Sequence, residues 1–295
     1  MSDVVASNKI VKRFYKEVSM GPIKIMVNGL PGNMATIFVQ RALTDPGFDV
    51  ISYSLTGPEI EDATCTVADM TFELIHPQDR QQKMDMLLDE MGTFISIDYT
   101  HPSAVNDNAG FYCRNDLPFV MGTTGGDRQL LEEAVRGSHT AAVIAPNMAK
   151  QIVGLQAMMD YAAKTFPGLF NGFTLSVKES HQKGKADTSG TAKAMVGYFN
   201  TMGVPFTAEQ IVMERDPARQ TKVWRIPEAY LGGHGWHTYT LDSADRTVHF
   251  EFTHNVNGRD VYALGTLDAV KYLSAKIAAG ARGTVFNMID VLKRK

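Results

Sequence analysis

The sequence predicts an α/β fold in which a doubly wound parallel sheet is followed by a second, α+β domain. Three observations predict it. Short apolar runs alternate with helical periods over the first half of the chain, and several of them end in glycine or small polar residues. After Asn147 the texture changes to one long helical stretch and then to longer alternating strands.

The elements follow in order. IKIMV (23–27), DVISYSL (49–55), FISIDYT (94–100), PFVMGTT (118–124) and TAAVIAP (140–146) predict strands buried on both faces. Between the first two, Met34, Ile37, Phe38 and Ala42 share one face of a helix that stops at Asp45-Pro46-Gly47. KQIVGLQAMMDYAAKTF (150–166) predicts a long helix closed by Pro167-Gly168, FTLSVKES (173–180) a strand, and residues 191–202 a helix capped by Ser189 and ended at Gly203. WHTYTLD (236–242) and RTVHFEFTH (246–254) flank Ser243-Ala244-Asp245 as an antiparallel hairpin with Val248, Phe250 and Phe252 on a buried face. From Val261 to VFNMIDVL the chain reads as helical, apolar on one side and packed back on the first domain.

Composition narrows the class. A chain of 295 residues, 44% hydrophobic and 21% charged, suits a soluble globular protein of two domains or one large one. A net charge of -3 supplies no general field for nucleic acid or for an anionic membrane, and no apolar run approaches the roughly 20 residues that span a bilayer. Cys65 and Cys113 are too few for a zinc pattern, so two reduced thiols and no metal are expected. Residues 1–20 predict an N-terminal extension with an amphipathic helical face, or the remainder of a trimmed precursor; Asp3 and Glu17 argue against an intact transit peptide.

Asn28-Gly29-Leu30-Pro31-Gly32-Asn33-Met34 follows the first strand and opens the first helix, where a dinucleotide-binding glycine turn belongs. The pattern is GxxG, with Asn28 where the first glycine often stands, and an ordinary tight turn also produces it. Gly122-Thr123-Thr124-Gly125-Gly126 and Asp98-Tyr99-Thr100-His101-Pro102 end two further strands, which favours one extended cofactor groove over three unrelated turns. That makes the first domain Rossmann-like. Ser52, Tyr53, Ser54 and Thr56 stand where an acid would hold the ribose of NADH, so NADPH is tolerated, although no cation in that segment selects it.

The densest chemistry lies in ESHQKGKADTSGTAKA (179–194). His181 titrates near neutral pH, Lys183 and Lys185 are point charges, and Ser189-Gly190-Thr191 opens a helix whose N–H groups face an anion. A hydrogen-bonded surface histidine and a solvated lysine loop would have the same composition; the combination within one loop favours chemistry on a small acidic substrate. His234 and His237 read as structural because no carboxylate or cysteine stands near them in sequence. His101, His249 and His254 also take the bland reading, and Arg259 offers a planar fork for a carboxylate.

These residues resemble the dihydrodipicolinate reductase (4-hydroxy-tetrahydrodipicolinate reductase) family over nearly the whole chain from Ile23. The family pattern of Glu-x-His, three residues, Lys-x-Asp and Ser-Gly-Thr-Ala is met by Glu179, His181, Lys185, Asp187, Ser189, Gly190, Thr191 and Ala192. DYTHPSAVNDNA, PFVMGTTGGD and ESHQ are similar to its plant-type branch. Gln182 and Gly184 stand where bacterial members often carry histidines, and one residue fewer separates Asp187 from Ser189.

The resemblance implies an NAD(P)H-dependent oxidoreductase of diaminopimelate and lysine biosynthesis. In it NADPH, or NADH, reduces ring C4 of the unsaturated dicarboxylate and His181 protonates the adjacent carbon, with Lys185 catalytic beside it. Gln182, Ser189, Gly190, Thr191 and Arg259 would bind substrate. Gly29, Gly32, Asn33 and Met34 would line the pyrophosphate turn, Thr100, Gly122, Thr123 and Thr124 the nicotinamide side, and Pro146, Asn147 and Met148 a hinge segment. The expected division is a dinucleotide-binding domain of 21–148 plus 262–295, and a substrate-binding and oligomerisation domain of 149–261. A homodimer or homotetramer is expected, in the plastid stroma if the source is a photosynthetic eukaryote and otherwise in the cytoplasm. Another two-domain NAD(P)H reductase of amino-acid metabolism, or a non-catalytic nucleotide-sensing protein, is the alternative; an acylating semialdehyde enzyme would need a nucleophilic cysteine.

Overall fold

The computed structural model describes residues 21–293, so the expected N-terminal lead-in lies outside the described residues. Six parallel strands, β1 (Ile23–Asn28), β2 (Phe48–Val50), β6 (Ile95–Asp98), β7 (Phe119–Met121), β8 (Ala141–Ile144) and β13 (Thr284–Phe286), form a sheet in the order β13-β8-β7-β6-β1-β2. Their apolar runs are continuous because helices cover both faces. Ile25 and Val27 point into a core shared with α1 (Asn33–Leu43) and α8 (Asp260–Ala278), whereas Met26 points into the opposite core with α2 (Arg80–Met91), α3 (Val105–Arg114) and α4 (Arg128–Arg136). Among the described residues no helix is long and apolar enough to cross a membrane.

Three expectations are corrected. DVISYSL is two strands: β2 pairs with β1, but β3 (Tyr53–Leu55) leaves to pair with β5 (Met70–Ile75) in a three-stranded sheet completed by β4 (Thr64–Val67). The break is set by Asn28, whose Oδ1 accepts the Leu55 N–H at 3.0 Å and so draws the second half of the run toward the glycine turn. VFNMIDVL is not continuous helix, because Thr284–Phe286 pairs with β8 as the sixth strand before α9 (Met288–Lys293). The apolar face of the hairpin is only partly buried, with Val248 and Phe250 about 40% exposed. The reason is position: β12 (His249–Asn257) is an edge strand, and Phe250 meets the rings of Phe170, Phe173 and Phe252 with no strand beyond it.

That hairpin belongs to a second sheet in the order β10-β9-β11-β12, built from β9 (Phe173–His181), β10 (Val212–Glu214), β11 (His234–Ser243) and β12. Helices α5 (Lys150–Thr165) and α6 (Gly190–Thr201) lie on one face, over Val177, Tyr239 and Leu241. Strand period two therefore turns Val177, Glu179 and His181 toward one side together. The expected Ser189 cap is present: its Oγ accepts the Thr191 N–H at 3.2 Å.

One polar network holds the carboxyl ends of the parallel strands. The buried Asp98 carboxyl accepts from Tyr112 Oη at 2.7 Å, Thr123 Oγ1 at 2.6 Å, Asn108 Nδ2 at 3.0 Å and Thr100 Oγ1 at 2.8 Å, while Asn28 Nδ2 donates to Tyr112 at 3.0 Å. Burial raises the Tyr112 phenol well above its ordinary range, so it remains a donor. Replacing Tyr112 by Phe removes a donor from a buried acceptor and is expected to cost about 2 kcal/mol. Urea unfolding should show a lower midpoint at unchanged m; an unchanged midpoint would show that the network does not hold these strand ends.

Candidate active site

Two neighbouring regions carry the site. The first is a cleft of about 950 Å³ at the carboxyl edge of the parallel sheet, lined by Gly29, Gly32, Asn33 and Thr100. Its glycine turn is packed on the neighbouring strand end: Gly29 has φ +104°, and a Cβ there would lie 2.3 Å from the Tyr99 carbonyl oxygen, so only glycine fits. A smaller pocket of about 340 Å³ continues it, lined by Met34, Thr100, Gly122, Thr123, Thr124, Pro146 and Met148, with Arg259 and Tyr262 at its wall. A Cβ on Gly122 would lie 2.4 Å from the Tyr99 ring, so the side chain missing there leaves room for that wall. Thr123 contributes backbone, since its hydroxyl is turned inward to Asp98. Asn147 uses Oδ1 to accept the Ala149 N–H ahead of α5 and does not line the pocket.

These glycines and the free N–H groups at the start of α1 fit a dinucleotide pyrophosphate. Two charged residues that line this cleft were not legible in sequence. Glu59 folds its carboxylate back over Gly57, and Arg80, stacked on the Phe111 ring at 4.8 Å, reaches the same cleft from α2. Both lie beyond the segment in which an acid or cation is sought by spacing.

The second region is the end of β9 and the loop after it. Glu179 is fully buried; Oε1 accepts from Arg215 Nη2 at 2.5 Å and Oε2 accepts the Ser189 N–H at 3.1 Å. Arg215 also donates to the carbonyls of Lys185 at 2.8 Å and Glu214 at 3.0 Å, so one guanidinium ties β10, β9 and the 182–188 loop together. Lys185 pairs with Asp187 at 2.6 Å, and that contact holds the Asp187 carboxyl below its usual range. Gln182 accepts the Lys185 N–H at 3.0 Å in the same turn. The Thr191 N–H at the α6 terminus is bound to the Ser189 hydroxyl, and the Lys193 N–H is the first bound to the Ser189 carbonyl, at 3.0 Å, as the N-terminal turn of a helix leaves its other N–H groups without helical partners.

Register assembles a row of histidines that sequence spacing did not reveal. On adjacent strands Glu179 faces His237, His237 faces His254, and His181 faces Gly235. His237 was expected to lack a carboxylate neighbour; the structure places its Nε2 3.7 Å from Glu179 Oε2 and 3.3 Å from His181 Nε2. His181 Nδ1 meets the His234 carbonyl at 3.0 Å, and Gln220 Nε2 donates to the His181 carbonyl at 2.7 Å. Burial pushes His181 down to about 4, against the opposing pull of Glu179 and with help from Arg215. Burial and the neighbouring His254 and His181 push His237 down to about 2. Ligand atoms of Glu179, His181 and His237 lie within 4.8 Å of one another, but both Glu179 oxygens already serve Arg215 and Ser189. Neither cavity is lined by His181 or Lys185; Arg259 links the regions, donating to the Gly232 carbonyl at 3.4 Å two residues before His234.

Comparison with known proteins gives the family. Profiles described as dihydrodipicolinate reductase, N-terminus, and dihydrodipicolinate reductase, C-terminus, match residues 23–148 and 152–292. The chain belongs to the dihydrodipicolinate reductase family. It is 44% identical over 271 residues to 4-hydroxy-tetrahydrodipicolinate reductase 2, chloroplastic, of Arabidopsis thaliana, covering 92% of this chain and 77% of that one. A reductase of the same name from Burkholderia ambifaria is 29% identical over 205 residues, 66% of this chain and 72% of the relative. Dipicolinate-bound dihydrodipicolinate reductase from Paenisporosarcina sp. TG-14 shares the fold, with a TM-score of 0.62 at 17% identity over 90% of this chain and 97% of that one. Membership makes this chain an NAD(P)H-dependent oxidoreductase of diaminopimelate and lysine biosynthesis.

Arg215 was not among the residues singled out from sequence, because nothing near it marks it. Replacing it by Gln leaves Glu179 buried without its cation and is expected to cost about 3 kcal/mol. It also frees the Lys185 loop, so KM for the dicarboxylate should rise. Denaturant titration and steady-state kinetics check both; wild-type stability with wild-type KM would remove Arg215 from the site.

Proposed function

We propose that this reductase acts on 4-hydroxy-tetrahydrodipicolinate, or the dihydrodipicolinate it yields on losing water, and that His181 is its general acid. The nicotinamide, when bound, supplies a hydride to ring C4. His181 gives a proton to the adjacent carbon, so the net change is addition of two hydrogens across one double bond. Lys185, turned from Asp187 to the substrate, binds a carboxylate and favours the charge that develops on the ring. Ser189, Gly190 and Thr191, Gln182 and Arg259 complete the dicarboxylate site. Domain closure about the 146–148 segment brings His181 toward the smaller pocket and excludes water.

The observation that carries this reading is the placement of a titratable His181 and a cationic Lys185 around the buried Glu179–Arg215 pair. Arg80 supplies a cation for a 2′-phosphate and Glu59 an acceptor for a ribose hydroxyl, so we infer that NADPH is used and NADH accepted. The division at about residues 148 and 262 and a homo-oligomer joined through the second sheet belong to the same proposal, with Val248 and Phe250 open at the edge of that sheet. The chloroplastic names of the plant relatives support a plastid setting.

Steady-state assay with the dicarboxylate and each cofactor tests the reaction. His181→Gln is expected to lower kcat by about 10²–10³ with little change in KM, whereas Lys185→Met lowers kcat and raises KM. Wild-type rates in either variant sink the assignment. A second expectation concerns protons. His181 is neutral at pH 7 in the free protein, and two substrate carboxylates raise its pKa, so binding should take up a fraction of a proton at pH 7 and more at pH 6. Calorimetry in buffers of differing ionisation enthalpy measures this; no uptake in wild type, or equal uptake in His181→Gln, contradicts it.

A further inference from the structure

We infer that His237 is a positioning residue for the proposed acid: its Nε2–H occupies the proton-accepting nitrogen of His181 in the free protein and fixes that ring in a single tautomer. The inference rests on the reading of His181 as the general acid and names a residue that the reading does not contain.

The tautomers follow from the partners. A carbonyl oxygen can only accept, so His181 Nδ1, 3.0 Å from the His234 carbonyl, carries a hydrogen. In the neutral ring the other nitrogen, Nε2, then holds a lone pair. It faces His237 Nε2 at 3.3 Å, and two facing ring nitrogens hold one hydrogen between them. Three observations put that hydrogen on His237. The neutral His181 offers only an acceptor there. Glu179 Oε2 lies 3.7 Å from the same His237 nitrogen and favours a proton on it. His237 Nδ1 is buried without a partner, and a bare acceptor is tolerated in that place better than an orphaned N–H.

The ring of His237 has little freedom to do otherwise. It stacks on His254 with centroids 4.6 Å apart and its side chain is 4% exposed. Gly235 backs His181 closely; a Cβ there would lie 3.0 Å from His181 Cε1. The charged and titratable groups facing the pair are Glu179 on β9, Lys185 in the following loop, Arg215 after β10, His234 and Tyr239 on β11 and His254 on β12. Burial keeps His237 itself neutral throughout the working range.

The consequence has a sign. An N–H donated to the His181 lone pair stabilises the neutral ring, so His237 lowers the pKa of His181. When substrate charge drives His181 to protonate, the incoming proton occupies that same nitrogen and the contact must open, releasing it toward the ligand.

Ring ¹⁵N spectroscopy of the full wild-type chain at pH 7 tests the tautomers directly. Expected are Nδ1–H on His181 and Nε2–H on His237; Nε2–H on neutral His181, or Nδ1–H on His237, overturns the proposal. Kinetics test the consequence. His237→Leu removes the donor, and the His181 pKa seen in the kcat/KM profile should rise by about 0.5–1 unit. His237→Asn keeps an N–H donor and should leave that pKa within about 0.3 unit of wild type. Equal losses of activity in both variants with an unmoved pKa would mark His237 as structural only and overturn the inference. If instead the tautomers are as expected but His181→Gln is fully active, the acid assignment fails while the pairing stands.

Discussion

The buried carboxylate of Glu179 is the constraint around which the substrate half of this protein is arranged. A carboxylate without solvent is costly unless it is paired and hydrogen-bonded, and Glu179 meets both conditions with partners far apart in sequence: the Arg215 guanidinium and the Ser189 N–H. The first brings β10 and the loop end beside β9. The second holds the cap residue of α6 and therefore fixes where that helix begins. Its fixed place opposite His237 also gives the histidine row a negative end, which is why a buried ring carries its hydrogen toward His181. Replacing a buried ion pair with apolar residues of equal volume is often neutral for stability, yet here it would leave the loop without its tie, so the ionic pair serves geometry more than free energy.

The parallel-sheet half depends on a comparable buried group, Asp98, but one satisfied by neutral donors. Hydroxyls from Thr100, Tyr112 and Thr123 and an amide from Asn108 converge on it, so the strand ends that border the cleft are held by side chains pointing away from any ligand. Backbone and glycine surface are left to face the cavity. This explains why Asn28 can stand where a glycine is often found: its amide bridges Leu55 and Tyr112, and the close approach is made one residue later, at Gly29.

Much of the fold was legible because strand and helix periods are local properties. The five apolar runs, the helix before Pro46, the long helix after Asn147 and the Ser189 cap all depend on neighbours within a few residues. What escaped was set by contacts distant in sequence. The break inside DVISYSL is made by Asn28, the sixth strand by pairing with β8, and the half-open face of Phe250 by its place at an edge. At the site, the motif around His181 and Lys185 was visible as a motif, whereas Arg215, Arg80, Glu59 and His237 carry no spacing that marks them. His237 is the clearest case: only the β9–β11 register brings it to Glu179, and period two then puts it on the side of His181.

The resting electrostatics suit a reaction in which a proton must arrive after the hydride. An imidazole kept neutral by burial and by Arg215 cannot protonate water-borne species or lose a proton to bulk before substrate is present. In the proposed mechanism two carboxylates entering this site oppose that balance, since they would bring negative charge within reach of Lys185 and of His181 alike. Acid strength is then coupled to occupancy by the charge of the ligand itself, with no need for a second conformational switch. The coupling requires that the ring keep one orientation across both protonation states. The His234 carbonyl provides this, because it accepts from Nδ1–H whether His181 is neutral or charged, and so confines every change of protonation to the nitrogen that faces His237.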